Sequence, residues 1–187
     1  MDARAGAVLE FWQRIGPAGW YGGGEALDSE IRSLFLADWQ SARVGGLRHW
    51  QASPEGVLAY LILTDQFPRN MFRDDGLSFA TDSLARDVAS RAWQHGMDLR
   101  IEGPLRQFLY LPFMHSETLT DQDRSVALFV ARLPGDNVLH ARAHRQVIRD
   151  FGRFPYRNAA LGRQTTAAEA AFLAAGSYRA VVRALGG

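Results

Sequence analysis

The chain has 187 residues, a formal net charge of +1, no cysteine and no lysine, since all 21 basic residues are arginine. Without cysteine there is no disulfide, thiolate nucleophile, iron–sulfur cluster or cysteine-rich zinc site. Without lysine there is no Schiff base, pyridoxal-phosphate anchor or P-loop lysine.

Helix signals run from end to end. Asp28-Ser29-Glu30 supplies an N-cap acceptor and an acid in the first turn, and Ile31, Leu34, Phe35 and Trp39 follow at helical spacing up to Gly45-Gly46. Residues 16–24, rich in glycine, read as the one long loop, with Trp20-Tyr21 as a flap over a pocket or a cap on the first helix pair. Ser53-Pro54-Glu55 starts a helix with proline at N1, and residues 57–63, apolar nearly all round, read as a buried central helix. Residues 77–95 form an amphipathic helix closed by Gly96. Gly103-Pro104 opens another, which Pro112 ends or kinks. Thr120-Asp121 caps the next, Asp136 caps one running to Phe151-Gly152, and Thr166 with Glu169 makes a capping box. A last short helix covers Tyr178 to Leu185. Strand signals are nearly absent.

These signals predict an all-α chain of about eight or nine helices in antiparallel hairpins, one domain over 1–187. A composition 47% hydrophobic and 22% charged fits a packed globule. No stretch free of Asp, Glu and Arg exceeds ten residues, short of the about 18 that suggest a membrane span. No apolar signal segment opens the chain, so a cytoplasmic location and no membrane partner are expected. The low net charge and lack of a binding motif also argue against nucleic acid.

Four groups could carry chemistry. Asp65-Gln66-Phe67-Pro68-Arg69-Asn70 places a carboxylate at a helix C-terminus, where the dipole disfavours it, so Asp65 needs a partner such as Arg69, Arg157 or a histidine. The group is either a structural corner or one wall of a cleft. His115-Ser116-Glu117 follows an apolar aromatic run. His115 could act as general base with Glu117 orienting it, or the trio could simply enter a helix. His140 and His144 share a helix face at metal-ligand spacing, but Ala141 stands where a zincin helix needs Glu, so that class is rejected; a site using this pair with Glu117 or Asp65 is the alternative to the expectation of no metal. Residues 124–163 hold eight arginines and two acids, a net +6. Arginine forks bind carboxylate or phosphate in a bidentate way, and internal ion pairs are the equal alternative. A GC-rich coding bias explains Arg in place of Lys, but not this clustering. Phe67-Pro68-Arg69-Asn70 is echoed by Phe154-Pro155-Tyr156-Arg157-Asn158, each corner following a helix.

Val8-Leu9-Glu10-Phe11-Trp12, Leu63 to Asn70, Tyr110 to Glu117, and His144-Arg145 with Phe151 to Asn158 together resemble the bacterial family known as domain of unknown function 924. Tyr156 stands where histidine is expected. The resemblance implies an all-helical, tetratricopeptide-like right-handed array. It implies no activity and no cofactor. The residues lead to a polar cleft for a small anionic molecule or a peptide carboxylate. Asp65, Gln66, Arg69, Asn70, Arg145, Arg153, Arg157 and Asn158 would bind it, and His115, Glu117 and His144 would do any acid–base chemistry. The rival expectation is a tetratricopeptide-like protein-interaction module without catalysis.

Overall fold

The computed structural model describes residues 1–186, whose regular elements are all helices, with no β-strand among them. Ten α-helices follow in order: α1 (Ala3–Gly22), α2 (Glu25–Arg43), α3 (Pro54–Leu61), α4 (Phe67–Met71), α5 (Asp82–Gln94), α6 (Leu111–Met114), α7 (Leu119–Arg132), α8 (Asp136–Phe151), α9 (Ala167–Ala174) and α10 (Ser177–Gly186). The all-α expectation holds. Eight of these helices have eight or more residues, and α4 and α6 are single short turns. The chain divides into two compact units, Met1–Pro112 and Phe113–Gly187.

In the first unit, the expected long loop at residues 16–24 is largely helical. Gly16 breaks α1 with φ 57° and ψ −170°, and Pro17 restarts it. A proline at the start of a turn loses no hydrogen bond, and glycine takes the positive φ without a Cβ clash. The Trp20 indole then donates to the Trp12 carbonyl at 2.7 Å and stacks on the Trp12 ring at 6.0 Å, pinning the segment down. Tyr21 donates from its hydroxyl to Gln107.

The core of this unit is aromatic. Phe67 is fully buried, stacked on Phe35 at 4.8 Å and meeting Trp12 edge-on at 5.5 Å. Helix α3 starts as its sequence dictates, with Ser53 Oγ accepting from the Gly56 N–H at 3.1 Å and proline in the first turn. It then widens into a π turn, Ile62–Gln66, where the Phe67 N–H reaches the Ile62 carbonyl five residues back. Thr81 locks this turn by donating to the Thr64 carbonyl at 2.5 Å and accepting from the Trp39 indole at 3.1 Å. The predicted helix at 77–95 is split into a 3₁₀ turn, Gly76–Phe79, and α5. Gly103-Pro104 opens a 3₁₀ segment, Gly103–Leu109, in place of an α-helix.

In the second unit, α7 and α8 form a hairpin and α10 packs on α8. Val147, Ile148 and Phe154 make its buried cluster, flanked by Phe151, Phe172 and Val181. Gly152 closes α8 in the left-handed conformation at φ 68°. The capping box of α9 is present in both directions, between Thr166 and Glu169. No helix among the described residues is long and apolar enough to cross a membrane.

Candidate functional site

The Asp65 corner lies in the first unit. Asp65 is buried on the π turn, its carboxylate accepting from Gln66 Nε2 at 2.5 Å, with Arg69 Nη2 3.5 Å from Oδ1. Arg69 also donates to the Asp65 carbonyl and to both Asp82 oxygens, at 3.0 and 3.1 Å. Asn70 donates to Asp28 at 2.8 Å, on the carboxylate that Arg73 grips. Here Asp65, Gln66, Arg69 and Asn70 tie α4 to α2 and α5, and Arg69 supplies the cation that Asp65 requires.

The other predicted residues fall in the second unit. Glu117 accepts from the Arg163 guanidinium at 2.9 and 2.7 Å and from the Phe154 N–H at 2.9 Å. Burial pushes its carboxyl up, but the Arg163 and Phe154 bonds outweigh this and hold it below the usual glutamate range. Arg145 pairs with Asp123. Arg153 pairs with Glu169, and Asn158 Nδ2 donates to Thr165 at 3.2 Å. The Asn158 Oδ1 is buried without a hydrogen-bond partner. Arg157, nearly buried, donates to the His115 carbonyl at 3.0 Å and lies 4.5 Å from the Phe154 ring centroid.

His144 is the centre of an aromatic group. Its ring lies 4.5 Å from Tyr178, 5.5 Å from Phe154 and 6.3 Å from His115, centroid to centroid. Its Nδ1 sits 2.9 Å from the His140 carbonyl. A carbonyl only accepts, so Nδ1 carries the proton and Nε2 keeps a lone pair. Among the described residues no hydrogen-bond partner takes that lone pair. His144 as a residue is half-buried. Burial first, then the neighbouring His115, lowers its pKa to about 3, against a weaker upward pull from the His140 carbonyl. His144 is therefore neutral at physiological pH. His140 Nδ1 lies 2.7 Å from the Tyr178 hydroxyl, and burial pushes that phenol up. Among the described residues no three His, Asp or Glu gather as a metal site.

An open cavity of about 350 Å³ adjoins this group, lined by His144, Tyr156, Gly176, Ser177, Tyr178 and Arg179. Ser177 holds φ 54°, a conformation L side chains rarely adopt.

Residues 8–177 match the family described as bacterial protein of unknown function (DUF924). The chain belongs to this family. It is also similar to the solved structure of a protein of unknown function from Agrobacterium tumefaciens. Identity there is 38% and the TM-score 0.88, covering 91% of this chain and 97% of that one. No curated protein matches it. The motif resemblance is thus borne out, and neither comparison carries an activity to this DUF924 chain.

Three cavity residues had no sequence signal that singled them out. Ser177, Tyr178 and Arg179 open the last helix after Gly176, and only the packing of α10 on α8 brings them to His144. Tyr156, noted as a departure from the family pattern, stacks on Phe154 at 5.3 Å and lines the same cavity.

Proposed function

We propose that the second unit binds a small organic anion that also carries a hydrogen-bond donor. The observation that supports this is the unpartnered Nε2 lone pair of a neutral His144 in the wall of a cavity. That nitrogen accepts from the ligand's donor. Arg179, which makes no ion pair among the described residues, draws the charge, and the rings of Tyr156 and Tyr178 cover the ligand's flat faces. Arg157 acts from behind, holding the His115 backbone and the Phe154 ring on which His144 rests. Glu117, Arg153 and Asn158 brace that corner, and Arg145 lies at the surface with Asp123. In the free protein His144 is a weak proton acceptor. The hydrogen bond from the ligand's donor favours this neutral ring, so binding needs no proton uptake. The rival interaction-module reading draws on the α7–α8 hairpin alone, a fold-level analogy.

The test is nitrogen-15 NMR of His144 with 4-hydroxybenzoate as probe. Binding moves the Nε2 resonance, and Arg179→Gln weakens the response. An unmoved Nε2 resonance across a series of small hydroxylated carboxylates and phosphates refutes the proposal.

A further inference from the structure

The first unit holds a larger concavity, of about 610 Å³, where the end of α2 and the loop after it face α3 and α5. Arg43, Arg48 and Arg91 line it, and Asp87 is the acid in its wall. Among the described residues none of these three arginines makes an ion pair. The Arg43 guanidinium lies 4.8 Å from the Trp39 ring centroid. Arg91 donates to Gln51 at 3.1 Å. Arg48 lies against Gly45, whose φ is +81° and where a Cβ would meet Arg48 Nε at 3.1 Å. Other arginines of this unit do close on carboxylates, as Arg4 does on Asp38 and Arg73 on Asp28.

A second, independent feature sits at the same place. Tyr60 is only 3% exposed, yet it lines the concavity and its hydroxyl has no hydrogen-bond partner. The hydroxyl reaches the concavity and is a donor for an acceptor that enters it. Burial raises the phenol's pKa, against an opposing pull from Arg91 and Arg48, which line the same concavity. Tyr60 is therefore a neutral donor beside them, suited to an oxyanion.

We infer that this concavity is a binding site for a compact polyanion of the diphosphate class, held by Arg43, Arg48, Arg91 and the Tyr60 hydroxyl. Three guanidinium groups offer only donors, and the Tyr60 hydroxyl adds one more. A diphosphate offers only acceptors and spreads its charge over several oxygens, so it meets separate forks at once. The volume leaves room for an organic group beyond the phosphates.

Isothermal titration calorimetry of the full chain with pyrophosphate tests this, with inorganic phosphate and citrate as comparisons. Expected are one site per chain, tighter binding of pyrophosphate than of either comparison, and weakening as salt rises. Arg48→Gln and Arg91→Gln should each weaken binding by about tenfold or more, and Tyr60→Phe by several-fold. The arginines are exposed, so unchanged melting temperatures confirm that these variants fold. His144→Phe should leave pyrophosphate binding unchanged, since it lies in the other unit. No binding of pyrophosphate, binding that survives replacement of all three arginines by glutamine, or citrate binding as tightly as pyrophosphate would each overturn the assignment.

Discussion

Arg153 closes on Glu169 through two hydrogen bonds, Nε to Oε1 at 2.6 Å and Nη2 to Oε2 at 2.8 Å. Oε2 also accepts from the Thr166 N–H at 2.8 Å, which completes the cap of α9. One carboxylate thus joins the Phe-Pro corner to the start of a helix. This explains why a glutamate in a first turn is almost fully buried.

That carboxyl is held down to about 2, chiefly by Arg153 and next by the Thr166 N–H. An unfolded glutamate titrates near ~4.3. The folded pKa is the lower, so this stabilisation is fully present above the unfolded value and is lost as pH falls through about 2. Glu169→Gln should therefore lower the melting temperature at neutral pH, and the wild-type and variant curves should converge on acidification. Thermal melts at a series of pH values measure this. Curves that stay parallel through that window contradict the role given to the ion pair.

His144 should remain neutral, with its proton on Nδ1, from neutral pH down to well below the usual histidine range near 6.5. Its pKa is depressed in the fold, so the contribution to stability is present above the unfolded value and is lost as pH falls toward about 3. Long-range proton–nitrogen spectra give both tautomer and titration. A midpoint near the unfolded value would show that the ring is not enclosed as described.

Gly56→Ala should destabilise, although alanine in a helix ordinarily gains about 1 kcal/mol over glycine. A Cβ on Gly56 would sit 2.0 Å from the Trp50 carbonyl oxygen and 2.9 Å from its carbon, both backbone atoms. The 3₁₀ turn Arg48–Ala52 would have to shift, at a cost of about 1–3 kcal/mol typical of overpacking. Urea denaturation measures the change. Equal or greater stability would mean that this contact yields freely.

The helices were largely legible because their signals act over three or four residues. Ser53-Pro54 and Thr166 with Glu169 start helices, and Gly152 ends one, as their types require. The motifs around Asp65 and His115 were likewise enough to indicate the family. Where a signal needed a distant partner, sequence reasoning stopped. Gly16 and Pro17 looked like loop because the indole that pins the next turn is accounted for only by Trp12. The π turn at Ile62–Gln66 leaves no mark in hydrophobic spacing.

The arginines divide along the same line. Composition alone determined that every fixed cation is a guanidinium, and so that anion recognition here works through planar forks. It could not determine which forks are occupied. Arg69, Arg153 and Arg163 meet Asp82, Glu169 and Glu117 across 13, 16 and 46 residues of chain. Among the described residues Arg43, Arg48 and Arg91 pair with no carboxylate and instead share a wall with Tyr60. A guanidinium pairs with whatever acid lies within a few ångströms, and only the packing of one helix on another decides which acid that is.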